Sequence, residues 1–175
     1  MKNRTLSLIL ALIIYLSFTA CTIEVPVTDE PTTEATTVAV DLEGPYEVVR
    51  VVDGDTIIID LEGESTRVRF ANVDCPESVA PEDSGKVNTA EGVDASNYTK
   101  SLLPSGSKIY LEYDEKVVDK YDRVLAYVYL EDGETMIQRL LLENGYAKVF
   151  DDHDNTRYTD EFYQLQKEAG VYAIY

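Results

Sequence analysis

From residue 46 to residue 52 apolar and polar side chains alternate along a β-branched stretch, the two-residue period of a strand with one buried face. Asp53-Gly54 then supplies a tight-turn signal and Thr56-Ile57-Ile58-Ile59 resumes an extended run, which together predict a hairpin. Gly63 marks a second turn, after which Thr66-Arg67-Val68-Arg69-Phe70 makes a third strand. In that strand Arg67 and Arg69 share one face, Val68 and Phe70 the other. Residues 75–88 lose periodicity and gather Pro76, Pro81, Ser84 and Gly85, a loop composition. Ala95, Tyr98 and Leu102 recur at helical spacing until Pro104-Ser105-Gly106 ends the pattern. Two further strands follow at 108–113 and 124–130. A short apolar-faced helix at 136–144 is closed by Gly145, and a last helix covers 158–169.

Short strands separated by turns, without an internal repeat, favour a small barrel over a parallel sheet. The order of three strands, helix, two strands and two helices predicts an α+β domain, mainly β. Its expected form is an OB-type five-stranded β-barrel with about three α-helices.

The ends of the pattern read differently. Lys2 and Arg4 precede an apolar and small-residue run from 6 to 20, shorter than the roughly 20 residues that cross a bilayer core and shaped like an export signal. It stops at Phe18-Thr19-Ala20-Cys21, which resembles a bacterial lipobox, so Cys21 is the expected lipidation site. The expected location is therefore the cell surface, with the membrane contacted through the lipid anchor only. Cys21 and Cys75 are the only cysteines. Acylation of Cys21 leaves no partner for an intrachain disulfide, and the fold must be held by its core. Residues 21–44 are rich in Thr, Glu, Asp and Pro without hydrophobic periodicity, the composition of a flexible linker. Residues 45–175 remain as one domain, expected to be a monomer.

Charge narrows the partners. The chain carries a formal net charge of −18, and from residue 45 onward 27 acidic side chains stand against 13 basic ones. Binding of polyanions by general electrostatics is thereby excluded, because phosphate contacts dominate nucleic-acid affinity. Recognition of a phosphate would have to rest on a few focused cations.

Such a focus exists in three strings: Val52-Asp53-Gly54-Asp55-Thr56; Arg69 with Val73-Asp74-Cys75-Pro76-Glu77; and Asp119-Lys120-Tyr121-Asp122-Arg123-Val124-Leu125-Ala126-Tyr127. In order and spacing they resemble the staphylococcal nuclease (thermonuclease) family over essentially residues 46–174. The resemblance implies a calcium-dependent nuclease acting on DNA or RNA, with single strands preferred and 3′-phosphorylated products. It implies Asp55, Asp74 and the backbone carbonyl of Cys75 as Ca²⁺ ligands, Arg69 and Arg123 as phosphate-gripping catalytic groups, Glu77 beside the attacking water and Tyr121 near the nucleotide.

The chemistry asks for the same residue types. Calcium is a hard cation that takes carboxylate and carbonyl oxygens. A guanidinium presents two parallel donors to phosphate oxygens, which lysine cannot do. Taken singly, Asp53-Gly54-Asp55 is a hairpin turn and either arginine a surface ion pair. His153, the lone histidine, lies in an acidic stretch as a solvated residue, and Tyr127 and Tyr129 are expected to fill strand faces. Three departures from the family pattern stand out. Asp122 takes the place of a glycine, Phe150-Asp151-Asp152 follows where tyrosines are usual, and the loop after Glu77 is acidic instead of lysine-rich. The competing expectation is an OB-type surface module that holds a nucleic acid or protein without cutting it.

Overall fold

The computed structural model describes residues 40–78 and 88–170. The export segment, Cys21 and most of the linker lie outside the described residues. Seven strands and three helices are present in them, and five of the strands close a barrel in the order β1-β2-β3-β6-β5. β1 (Glu43–Asp53), β2 (Thr56–Leu61) and β3 (Glu64–Phe70) form the expected antiparallel meander, with β1 beginning inside the stretch read as linker. β5 (Lys108–Glu112) and β6 (Val124–Tyr129) complete the wall. β5 closes antiparallel on β1, and β6 runs parallel to β3. The OB-type barrel expected from the pattern is the observed fold.

Simple alternation does not hold along β1. Val48 and Val51 both enter the core while Val49 and Arg50 between them are exposed. The register against β2 slips between Val48 and Arg50 and again between Val51 and Asp53. An extra residue in one strand breaks the two-residue period and bends the strand, which lets β1 pair with both β2 and β5. β6 is buried on both faces because α2 (Ile137–Glu143) and α3 (Thr159–Glu168) cover the side away from the barrel. Gln138 fastens α2 to it, accepting from the Val128 amide at 3.1 Å and donating to the Ala126 carbonyl at 2.9 Å. Gly145 ends α2 at φ 73°, the left-handed residue the sequence places there. Tyr127 and Tyr129 fill the core, with Tyr127 edge-on to Tyr158 and Phe162. Among the described residues no helix is long and apolar enough to cross a membrane.

Two elements set the site. Ala71-Asn72 turns the chain out of β3, with Asn72 at φ 59°, into β4 (Val73–Asp74), which pairs antiparallel with β7 (Lys148–Val149). Two-residue strands carry no periodicity, so the sequence pattern passes over both. Helix α1 (Ala90–Leu102) packs on β1 and the following turn, where Thr99 donates to the Gly54 carbonyl at 2.7 Å.

Candidate functional site

The β1–β2 turn, the β3 C-terminus and β4 deliver their polar residues to one place. Asp55, nearly buried, lies in the turn. Its Oδ1 accepts from the Thr56 hydroxyl at 2.9 Å and its Oδ2 from the Cys75 amide at 2.8 Å. The Arg69 guanidinium reaches between the two aspartates, with Nη1 2.9 Å from Asp55 Oδ2 and Nη2 3.0 Å from Asp74 Oδ1. Nη1 also donates to the Val73 carbonyl at 2.8 Å and the Phe70 carbonyl at 3.3 Å. Asp55 and Asp74, expected as calcium ligands, are brought together, and the cation between them is the Arg69 guanidinium. Two carboxylates and nearby carbonyls of the 73–75 backbone are a hard-oxygen donor set, and a calcium ion fits that chemistry. No cluster of three or more His, Cys, Asp or Glu side chains accompanies it among the described residues. A metal held there would rest on two side chains, backbone oxygen, water and substrate.

Burial pushes the Asp55 carboxyl above its usual range, and the neighbouring Asp74 charge adds to it. Arg69, the Cys75 amide and the Thr56 hydroxyl act in the opposite direction. The buried Cys75 thiol is pushed well up by burial first and then by the Asp55 charge. A thiol kept protonated is a poor nucleophile and a poor ligand.

Arg123 immediately precedes β6, whose first residue, Val124, pairs in parallel with Val68 of β3. Asp119 clasps it, with Oδ2 2.7 Å from Nε and 2.6 Å from Nη2 while Oδ1 accepts the Arg123 amide at 3.0 Å. Burial opposes ionisation of Asp119, yet these bonds and the Tyr121 amide hold its carboxyl below the ordinary value. Tyr121 is exposed, with Lys120 Nζ 4.9 Å and Arg123 Cζ 5.4 Å from its ring centre. Asp122 adopts φ 59°, the left-handed conformation for which glycine is favoured and which aspartate tolerates. His153 is exposed as expected.

Several residues that hold the site were not singled out by sequence. Asp53 Oδ1 takes the Ser78 hydroxyl at 2.6 Å and the Gly54 amide at 2.8 Å, tethering the residue after Glu77 to the β1–β2 turn. Lys148, presented by β7, lies 3.5 Å from Asp74 Oδ2. Gly92 of α1 packs directly on the backbone of Pro76 and Glu77, where a Cβ would sit 2.3 Å from the Glu77 carbonyl oxygen. The same oxygen accepts the Thr89 amide at 3.0 Å. Each of these contacts joins segments distant in sequence or depends on a missing side chain, and neither leaves a local motif.

Comparison with known proteins places the chain by sequence similarity. The family model described as staphylococcal nuclease homologue matches residues 67–171. The thermonuclease of Staphylococcus hyicus is 37% identical over 127 residues, covering 73% of this chain and 72% of that protein. That of Staphylococcus intermedius is 39% identical over 124 residues, 71% of this chain and 70% of the relative. Endonuclease YncB of Bacillus subtilis (strain 168) is 41% identical over 122 residues, 69% of this chain and 55% of the relative.

Proposed function

From the premise that the chain belongs to the staphylococcal nuclease family, we propose that it is a calcium-dependent endonuclease cutting single-stranded DNA or RNA. Membership makes it a nuclease. The ion, the preferred strand and the cellular setting are the added reading. The observation that carries it is the convergence of Asp55 and Asp74 on one guanidinium, with Arg123 just before the strand that pairs with β3.

Asp55, Asp74 and the Cys75 carbonyl would hold the calcium ion, which supplies Lewis-acid polarisation of a phosphate oxygen. The chain's own groups do the remaining work. Phosphodiester hydrolysis passes through an anionic five-coordinate phosphorus, so donors aimed at the developing charge act mainly on rate. Arg123, held by Asp119 through Nε and Nη2, presents its remaining donors to the phosphate, and Arg69 adds a second guanidinium from the neighbouring strand. Glu77, between β4 and the tethered Ser78, takes the proton from the attacking water or holds that water in line. The products carry the phosphate on the 3′ side. Tyr121 lies beside Arg123, where a nucleotide would pass.

The apolar run at 6–20 and the following Cys21 support export and lipid anchoring at the cell surface, with 21–44 as tether and 45–175 as a monomeric nuclease domain. The test is incubation of the purified chain with denatured DNA and with RNA, in calcium, magnesium or EGTA. Cleavage should need calcium and stop in EGTA. Undiminished cleavage after exhaustive chelation rejects the metal assignment, and stoichiometric binding without product in calcium favours the non-catalytic module.

A further inference from the structure

Beside Arg123, away from Asp55 and Asp74, an open groove of about 400 Å³ is lined by Ile58, Ser65, Thr66 and Arg67 on one side and Tyr121, Asp122 and Arg123 on the other. Ile58 and Arg67 are cross-strand partners on β2 and β3. Arg67 stands two residues before Arg69, and alternate residues of a strand point to the same face about 6.6 Å apart. That distance is comparable to the step between consecutive phosphates of an extended single strand. In the parallel register that pairs Val68 with Val124, Arg67 is the residue abreast of Arg123. Arg67 and Arg69 therefore share one face of β3, and Arg123, just before β6, lines the groove together with Arg67.

Their partners differ. Arg69 is engaged by Asp55 and Asp74, and Arg123 by Asp119. Arg67 is exposed and forms no ion pair among the described residues, in a protein whose acids far outnumber its bases. An unneutralised guanidinium lining a groove that Arg123 also lines is complementary to an anion. Asp122, on the opposite wall, keeps that anion on the Arg67 side. The partly buried Ile58 and the Tyr121 ring offer apolar surface to a sugar or base, and Thr66 offers a hydroxyl.

We propose that this groove is a second nucleotide subsite, in which Arg67 binds the phosphate next along the strand from the scissile one and the attached nucleoside lies over Ile58 toward Tyr121. The inference rests on the nuclease reading above and names a part of the substrate that reading leaves unplaced. The enzyme then recognises two successive phosphates, only one of which it cuts. A substrate with a single phosphodiester cannot reach Arg67, and one with a flanking phosphate can.

The experiment compares wild type, Arg67→Ala, Arg67→Lys and Arg50→Ala on defined oligothymidylates with calcium. Arg50 is an exposed arginine on β1 outside the groove and controls for lost positive charge. The substrates are a single phosphodiester, the same with one flanking phosphate on either side, and the latter with that flanking phosphate replaced by a neutral methylphosphonate. Wild type should show a lower KM for one of the two extended substrates, by up to about fivefold for one exposed charge pair. The methylphosphonate should cancel that gain. In Arg67→Ala the gain and its sensitivity to the methylphosphonate should both vanish with kcat retained. Arg67→Lys should keep part of the gain, and Arg50→Ala all of it. Equal KM responses to length and charge in wild type and Arg67→Ala overturn the subsite, as does a loss in Arg67→Ala of the same size on the shortest substrate. A protein that cuts none of these substrates rejects the nuclease reading instead. Fluorescence anisotropy then decides the subsite independently, because losing one phosphate contact should reduce the salt dependence of oligonucleotide binding by about one unit of slope. An identical slope in Arg67→Ala overturns it.

Discussion

Replacement of Gly92 by alanine separates catalysis from stability in this protein. Alanine is the better helix former, by about 0.8–1 kcal/mol, so propensity alone forecasts a more stable α1. The new Cβ would lie 2.3 Å from the Glu77 carbonyl oxygen, 2.4 Å from its carbon and 2.8 Å from the Pro76 carbonyl oxygen. Ordinary contact begins near 3.4 Å, so the start of α1 and the segment carrying Glu77 must part by about 1 Å. Two bonds resist the shift, the Thr89 amide to the Glu77 carbonyl and the Gly92 amide to the Thr89 hydroxyl, each 3.0 Å. A displacement of that size at Glu77, proposed above to meet the attacking water in line, should cost on the order of 10²-fold in rate. Asp55 and Asp74 sit on the β1–β2 turn and on β4, so the affinity of the proposed calcium site should fall less than kcat, with any loss coming through the Cys75 carbonyl next to Pro76. The assay is kcat and melting temperature for Gly92→Ala beside Ser101→Ala, an exposed site on the same helix. Combination with Glu77→Ala completes the comparison, since Gly92→Ala should cost little more once the carboxylate is gone. A Gly92→Ala enzyme with kcat within twofold of wild type, or one equally impaired in the Glu77→Ala background, refutes the argument.

Arg69→Lys and Arg123→Lys should each lower kcat by about 10²–10³-fold with the fold intact, since each removes a fork of donors from the developing charge. A lysine variant with near wild-type rate removes that arginine from the mechanism. Asp122→Gly relieves a left-handed aspartate by about 1 kcal/mol, nearly offset by the freer unfolded chain, so melting should move little. Its KM should fall several-fold at low salt and less at high salt, as should that of Asp122→Asn. Unchanged KM in both places Asp122 away from the substrate path.

Legibility in the sequence followed the range over which each feature is encoded. The meander, α1 and the β5–β6 pair were readable because hydrophobic period and turn residues are local. Asp55, Asp74, Arg69 and Arg123 were readable from the strings that surround them, although only folding shows that Arg69 bridges both aspartates. The bulged course of β1 was not, because Val48 and Val51 obey a register set by β2 and β5. β4 and β7 were too short to mark themselves, yet their pairing places Lys148 against Asp74. The tether from Asp53 to Ser78 and the clash space at Gly92 depend on which distant backbone comes to rest there. Asp122 was recognised as a departure, and its φ of 59° explains how the backbone accommodates it.

The parallel pairing of β3 with β6 has a temporal meaning. Strands Glu64–Phe70 and Val124–Tyr129 are far apart in the chain and adjoin only when the barrel shuts. Pairing over such a separation must overcome a large loop-closure entropy before its contacts reward it, so it belongs to the late events of folding. Arg69 and Arg123 stand on opposite sides of that seam. Until it closes, a nascent or extended chain can carry every residue of the nuclease and still be harmless to the nucleic acid of the cell that makes it. The onset of cleavage during refolding would therefore clock barrel closure itself.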